Sequence, residues 1–372
     1  MPFSRFAGLI SLVFALAFGP SATAQPAGAK GDDFLYRVRS GDTLIGLAQR
    51  YTLHDSNWKA LQELNGVDDP YRLQIARLLR IPFSMIPVRA ATAEVTHVAG
   101  EVTIDGRELP FAAQVSEGQK IQTGANGYVV LQLSDQSVVT VPPSTTLVIK
   151  RIREFQGTGL TDSIFEMETG SVETQVAPQE TGVGRFEVRT PVSVTGVRGT
   201  RMRVHADGGS RSSGSRSSGS RSEVVSGMAG VAGAGAGELI LRERQGVAMD
   251  RDGKSLGVRP LLPAPKLLQP VRAAGGWSME FEPVAGASAY LVSVARDESG
   301  AQLVSQQRIQ APPAHFSASA AGTHYVFVRA IDDAGIGGVD ASASFEGAYV
   351  LMDGSGNAVS TLGGGMVLVA DY

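Results

Sequence analysis

From Thr92 onward the apolar residues recur at every second position. Val129, Leu131 and Leu133 alternate, as do Val139 with Val141, Leu147 with Ile149, Phe186 with Val188, and Met202 with Val204. A strand turns successive side chains to opposite faces, so a period of two feeds one face of a sheet and does not fit the 3.6-residue period of a helix. Turn-forming clusters separate the runs at 134–137, 142–145, 156–159 and 178–182. Short strands at this spacing predict an all-β sandwich, roll or solenoid over residues 92–258. The 45 glycines agree with turn-rich β structure, and helix is not expected to dominate.

Residues 34–83 follow another rule. In YRVRSGDTLIGLAQRY (36–51), Tyr36 and Val38 alternate as a strand, and then Leu44, Leu47, Ala48 and Tyr51 fall at i, i+3, i+4 and i+7, the stripe of an amphipathic helix. Asp42 is placed to cap that helix. A second helix is predicted over 57–64 with Ser56 as N-cap, Trp58 and Leu61 facing inward, and Asn65-Gly66 as the left-handed stop. A closing strand is predicted at 77–81, giving a small βααβ unit.

The first 24 residues read as an export signal. Arg5 is the positive region, 6–18 an apolar run, and Ala22-Thr23-Ala24 a small-residue cleavage site, so Gln25 is expected to begin the mature chain. The apolar run is shorter than the roughly 20 residues of a membrane crossing, and no later stretch is long and apolar enough to cross. The absence of cysteine rules out disulfides and a lipid-bearing thiol. A periplasmic or secreted, cell-envelope location follows from the signal. A net charge of −3 carries no electrostatic footprint for nucleic acid.

Residues 25–33 read as a linker. In 208–223 the unit SRSSG repeats, and a glycine and alanine run follows at 227–237; with nothing to bury, residues 206–237 are expected to form a flexible insertion. A proline-rich hinge at 259–270 leads into a third unit, 264–346, with strand-like runs at 278–281, 289–295 and 325–330. Residues 347–372 read as a C-terminal tail or a late strand.

The first unit resembles a LysM (lysin motif) domain. Tyr36 to Leu44 follows the family's opening motif, Trp58 to Asn65 its second helix, and Leu78-Leu79-Arg80-Ile81-Pro82 its closing strand; Ala76 stands where the family usually carries glycine. The resemblance implies binding of N-acetylglucosamine-containing glycan, with peptidoglycan as the partner. It places a shallow groove between the loop of Gly41, Asp42, Thr43 and Leu44 and the loop carrying Asn65, Leu73 and Ile75. Glycan acetamido and hydroxyl groups need fixed backbone partners; Gly41 permits close approach, and helix-start N–H groups near Thr43 are available donors. The same residues also suit a plain turn and cap. One such module is expected to bind in the roughly millimolar to micromolar range, about −4 to −8 kcal/mol, with rebinding along a polymer adding retention.

The second unit resembles a FecR domain, through EGQKIQTGANG (117–127), the strand 129–133 with its turn at Asp135-Gln136-Ser137, and FEVRTPVSVTGVRGT (186–200); glycine is more usual at Gln136. FecR-type proteins pass a periplasmic signal through a membrane helix, which this chain lacks, so the resemblance implies protein contact. Arg198-Gly199-Thr200 reads as a structural turn. The third unit is similar to a fibronectin type III domain, a β-sandwich, with Phe281 at the early core aromatic and Gly322-Thr323-His324-Tyr325 approaching a tyrosine corner whose hydroxyl would tie a loop to the backbone.

Motifs for chemistry do not assemble. His54, His97, His205, His315 and His324 lie far apart, without HxH or HExxH spacing, so no metal or other cofactor site is expected. Ser56-Asn57-Trp58-Lys59 matches SxxK without a KTG or SDN partner. Lys150-Arg151-Ile152-Arg153 reads as a solvated strand end, or as a small patch for anionic polymers or lipid. The expectation is a multidomain, mainly β, non-enzymatic peptidoglycan-binding scaffold that is anchored by its first unit, reaches by flexible linkers, and offers its β units to an envelope protein partner. The alternatives are a sensory or regulatory component acting through a membrane-bound partner, and an unrecognised glycan hydrolase.

Overall fold

The computed structural model describes residues 26–30, 33–177, 183–208, 219–233, 237–273, 276–318, 320–347, 349–350 and 368–369. The expected signal at 1–24, the turn at 178–182 and most of the tail lie outside them.

The first unit is a three-stranded antiparallel sheet covered by two helices. Its strands run in the order Pro26–Lys30, Asp33–Arg37, Leu78–Pro82, with Phe34 opposite Ile81 and Tyr36 opposite Leu79. Part of the expected linker is therefore an edge strand, in register with Phe34 and Tyr36. Helices α1, Leu44–Thr52, and α2, Trp58–Asn65, bury Leu44, Leu47, Ala48, Tyr51 and Leu61 against Phe34 and Tyr36, as the apolar stripe requires. Both expected caps are corrected. Thr43 caps α1, its Oγ1 accepting from the Gly46 N–H at 3.1 Å. Asp42 instead accepts from the Arg39 N–H and the Tyr36 hydroxyl, both at 2.7 Å, which ties the turn to the strand before it. At α2 the turn Asp55–Asn57 precedes the helix, so Asn57 occupies the cap position, its amide donating to the Thr52 hydroxyl rather than capping the helix, and Ser56 is displaced from it. Gly66 ends α2 at φ 54°.

The second unit is a continuous sheet of sixteen strands among the described residues, lined by one apolar core from Ala93 to Met249. Every alternating residue named above, from Val129 to Val204, is buried in it. Its longest strand, Leu160–Gln175, pairs first with Thr146–Phe155 and Val183–Arg189, then with Val138–Val141 and Ser193–Ala206. Residues 198–200 form a bulge within Ser193–Ala206, where the Thr200 hydroxyl donates to the Met228 carbonyl.

Of the segment expected to be a flexible insertion, residues 209–218 and 234–236 lie outside the described residues, and most of its C-terminal part is not a loop. Ser220–Gly233, which includes the end of the serine repeat and much of the glycine-alanine run, is a strand held by Ser193–Ala206 on one side and by Leu239–Arg242 and Gln245–Met249 on the other. Two flanking partners satisfy its backbone, so little side-chain burial is required. Glycine also fits because the neighbours are close: a Cβ on Gly233 would lie 1.9 Å from the Gly253 carbonyl oxygen.

The third unit is a sandwich of a three-stranded sheet, Val271–Ala273, Gly276–Met279 and Ala314–Phe316, and a four-stranded sheet ordered Leu303–Ile309, Ala289–Ala295, Gly322–Ile331, Ala341–Gly347. Trp277, Phe281, Tyr290 and Phe345 fill its core. The hydroxyl tied to the backbone belongs to Tyr290, which accepts from the Val284 N–H at 2.8 Å, rather than to Tyr325. In the tail, Tyr349–Val350 pairs with Leu368–Val369.

The units are not joined by free linkers. Val88–Ala90 pairs with Arg153–Phe155 of the large sheet, and Phe83 stacks on Phe155 with ring centroids 4.1 Å apart. Phe155 and Leu160 belong to the apolar core of the first unit. The proline-rich segment is likewise pinned: the Leu261 N–H donates to the Arg244 carbonyl and the Val339 N–H to the Leu262 carbonyl. Beside it, Arg203 pairs with Glu223 at 2.7 Å and donates to the Gly338 carbonyl, while Arg329 bonds Asp340 and Glu173 at 2.6 and 2.7 Å. Reach by flexible hinges is thereby replaced by a welded body.

Candidate functional site

The two loops expected to form the groove meet through their backbones. The Leu44 N–H donates to the Pro70 carbonyl at 2.8 Å, so this helix-start donor, like that of Gly46, is already spent within the protein. The second loop is itself braced. Gln62 Nε2 donates to the Val67 carbonyl at 2.8 Å, and the Ala76 N–H donates to the Val38 carbonyl at 2.9 Å. Arg77 bonds the Asn65 and Gly66 carbonyls. Ala76 sits at φ 67°, the left-handed conformation that a glycine would adopt without cost. The same holds for Gln136 at φ 71° in the second unit.

The seven sequence-derived residues divide by what their side chains do. Gly41 is exposed at φ 87°, with open space for 4 Å around the point where a Cβ would project. Asp42 is half-buried and engaged with Tyr36 and Arg39. Thr43 is half-buried and caps α1. Leu44 is buried in the core, so it offers backbone alone. Asn65 Nδ2 donates to the Leu61 and Arg80 carbonyls and its Oδ1 accepts from the Arg80 N–H at 2.7 Å, so its amide clamps the closing strand. Leu73 packs on the core edge, and Ile75 is 63% exposed. Tyr71, missed from the sequence, is 66% exposed on the same loop. Its signal was an aromatic residue in an otherwise polar stretch, DDPYRLQ. Exposed Tyr71 and Ile75, on a loop fixed by internal bonds, suit the apolar faces of sugar rings.

Tyr36 is electrostatically coupled to this turn. Burial, then its bond to Asp42, pushes the hydroxyl up to about 12, so it stays protonated and donating at any ordinary pH.

Among the described residues no cluster of three or more His, Asp or Glu could hold a metal ion. The basic run is neutralised: Lys150 pairs with Glu166, Arg151 with Asp162, and Arg153 with Glu117. Ser56 of the SxxK match is exposed on the turn before α2.

Residues 36–82 match the LysM domain family model, and residues 119–229 the FecR protein family model. N-acetylmuramoyl-L-alanine amidase XlyB of Bacillus subtilis (strain 168) is 25% identical over 100 residues, covering 27% of this chain and 29% of the amidase. Two crystal structures of a protein assigned as an anti-sigma factor from Parabacteroides distasonis ATCC 8503 align at 20% and 19% identity, each with a TM-score of 0.30. Each alignment covers 38% of this chain and 59% of that chain. The chain thus spans under a third of the amidase and under two thirds of the solved structures. A LysM domain and a FecR domain are therefore present, and no helix among the described residues is long and apolar enough to cross a membrane.

Proposed function

We propose that this chain is a non-enzymatic, peptidoglycan-binding protein of the cell envelope, exported by its N-terminal signal to the periplasm or beyond. The LysM domain holds N-acetylglucosamine-containing glycan between the 41–44 and 65–75 loops. The observation that carries this reading is the LysM match over a pair of loops already bonded to each other, Leu44 to Pro70. A groove that needs no ordering on binding loses less affinity to conformational entropy. Gly41, Thr43, Leu73 and Ile75 then supply contact surface, Leu44 joins the two loops through its N–H, and Asp42 and Asn65 hold the loops in shape.

The FecR domain and the third unit present surfaces to an envelope protein. The three-plus-four arrangement of the sandwich strands and the buried Trp277, Phe281 and Tyr290 support a fibronectin type III-like reading of that unit. A second reading, a sensory or regulatory component working through a membrane-bound partner, is favoured by the FecR match and by the strand pairing that joins that domain to the LysM domain.

Cosedimentation of the intact protein with purified peptidoglycan sacculi tests the anchor. The protein is expected in the pellet, and Ile75→Asp, an exposed and therefore fold-neutral change, is expected to shift it to the supernatant. Equal pelleting of both proteins would remove the LysM groove from the account.

A further inference from the structure

A cavity of about 660 Å³ opens where the LysM domain meets the large sheet, lined in part by Arg89, Asp135, Glu154, Phe155 and Thr161. None of the residues of the 41–44 and 65–75 loops lines it. Its rim adjoins the LysM domain, since a Cβ on Gly157 would lie 3.5 Å from the Arg50 carbonyl oxygen and 3.9 Å from the Tyr51 ring. The volume falls in the range of small-ligand sites, with one aromatic wall and a few convergent polar groups.

Asp135 is the unusual member. It is 6% exposed, yet among the described residues its carboxylate meets neutral donors: the Ser137 N–H at 2.8 Å on Oδ1 and the Thr161 hydroxyl at 2.5 Å on Oδ2. No Lys, Arg or His among the described residues comes within ion-pair distance of it. Buried carboxylates are ordinarily paired with a cation, because desolvation penalises an isolated charge. A carboxylate has about four acceptor sites, so two remain on Asp135. Glu154 adds a second carboxylate, and Arg89 pairs with it from the strand that leads out of the LysM domain. The Arg89 side chain is 71% exposed, and its five N–H donors admit a further carboxylate without breaking that pair. The three charged groups sum to −1, which favours a ligand carrying an ammonium group together with a carboxylate.

We propose that this seam cavity binds the amino-acid end of a short peptide, its ammonium group on Asp135 and Glu154 and its carboxylate on Arg89. Peptide stems branching from glycan strands have this chemistry. The ligand assignment rests on the LysM reading, since a glycan held by that domain carries such stems.

Titration calorimetry on the intact protein separates the two ideas with three probes: chitotetraose, which has no stem; a stem tripeptide ending in diaminopimelate; and that tripeptide with its side-chain ammonium acetylated. The free tripeptide is expected to bind, and acetylation to weaken it at least tenfold. Glu154→Gln and Asp135→Asn should each weaken the tripeptide about tenfold and leave chitotetraose unchanged. The asparagine keeps an acceptor for Ser137 and gains a donor towards Thr161, and the acetylated probe needs no variant at all. No heat with the tripeptide, or equal affinity for both tripeptides, would overturn the cavity assignment whatever chitotetraose does. Tripeptide binding without chitotetraose binding would uphold the cavity while refuting the LysM groove.

Discussion

Arg329 donates from Nη1 to Glu173 Oε1 at 2.7 Å across 156 positions of sequence, joining the C-terminal sandwich to the longest strand of the large sheet. Its Nε donates to Asp340 at 2.6 Å, and Asp340 lies 3.4 Å from Arg203, which pairs with Glu223. Glu223 in turn accepts from the Gly337 N–H at 2.6 Å. The network binds the two units through buried Arg203, Glu223 and Arg329 and partly buried Glu173 and Asp340, so each charge depends on its partners.

Removing one partner of such a network strands the others. Arg329→Met is expected to destabilise the protein by about 3–5 kcal/mol, read as a lower urea midpoint. Wild-type protein should unfold in one calorimetric transition through the FecR domain and the sandwich together. Two separate transitions in the wild type would show that the network does not couple them.

The same network predicts acid sensitivity. Burial alone would push the Glu173 carboxyl up, but the charges of Arg329 and Arg203 outweigh it and hold the group at about 2. Glu223 is likewise raised by burial and brought down to about 2 by Arg203, His205 and the Gly337 N–H. Both folded values lie below the ordinary 4.5, so the stabilisation is complete above that pH and is lost as pH falls from about 4.5 towards 2. Urea midpoints measured across this window should fall in the wild type and fall less steeply in Glu173→Gln; parallel slopes would contradict the assignment.

The contact between the LysM domain and the sheet is apolar and separable from the ionic one. Phe155→Ala should cost about 3–5 kcal/mol. In a double-mutant cycle with Phe83→Ala, a coupling of at least about 0.5 kcal/mol is expected for the stacked rings. Simple additivity would mean that the stack contributes nothing to docking.

Two threonine and serine changes test the revised caps. Thr43→Ala removes the oxygen that accepts from Gly46 and should destabilise by about 0.5–2 kcal/mol. Ser56→Ala removes no helix cap and should stay within about 0.5 kcal/mol. Hydrogen exchange of the Gly46 amide would locate the first loss at the start of α1; the opposite ranking of the two variants would restore Ser56 as a cap.

Much of the local structure around the candidate site lay open in the sequence because its signals are local. The stripe Leu44, Leu47, Ala48 and Tyr51 fixes which face of α1 is buried. The residues that stand in place of the usual glycines, Ala76 and Gln136, mark positions that adopt positive φ. The cap was misread by one residue because Asp42 and Thr43 are both capping types. The choice depends on Tyr36, in the strand before the turn, and on Arg39 beyond its end, which together claim the aspartate.

By itself, the order of residues determined the kind of element and its buried face, since a period of two or 3.6 is a property of neighbours along the chain. Whether glycine-rich 220–233 becomes a strand was decided by the flanking strands that pair with it. Sheet register likewise decided that Arg203, Glu223, Glu173, Arg329 and Asp340 converge, that Phe83 meets Phe155, and that Asp135 lines a cavity at the seam between two units. Charge pairing and packing depend on distances in space, and the fold sets those distances between residues that carry no mark of one another in sequence.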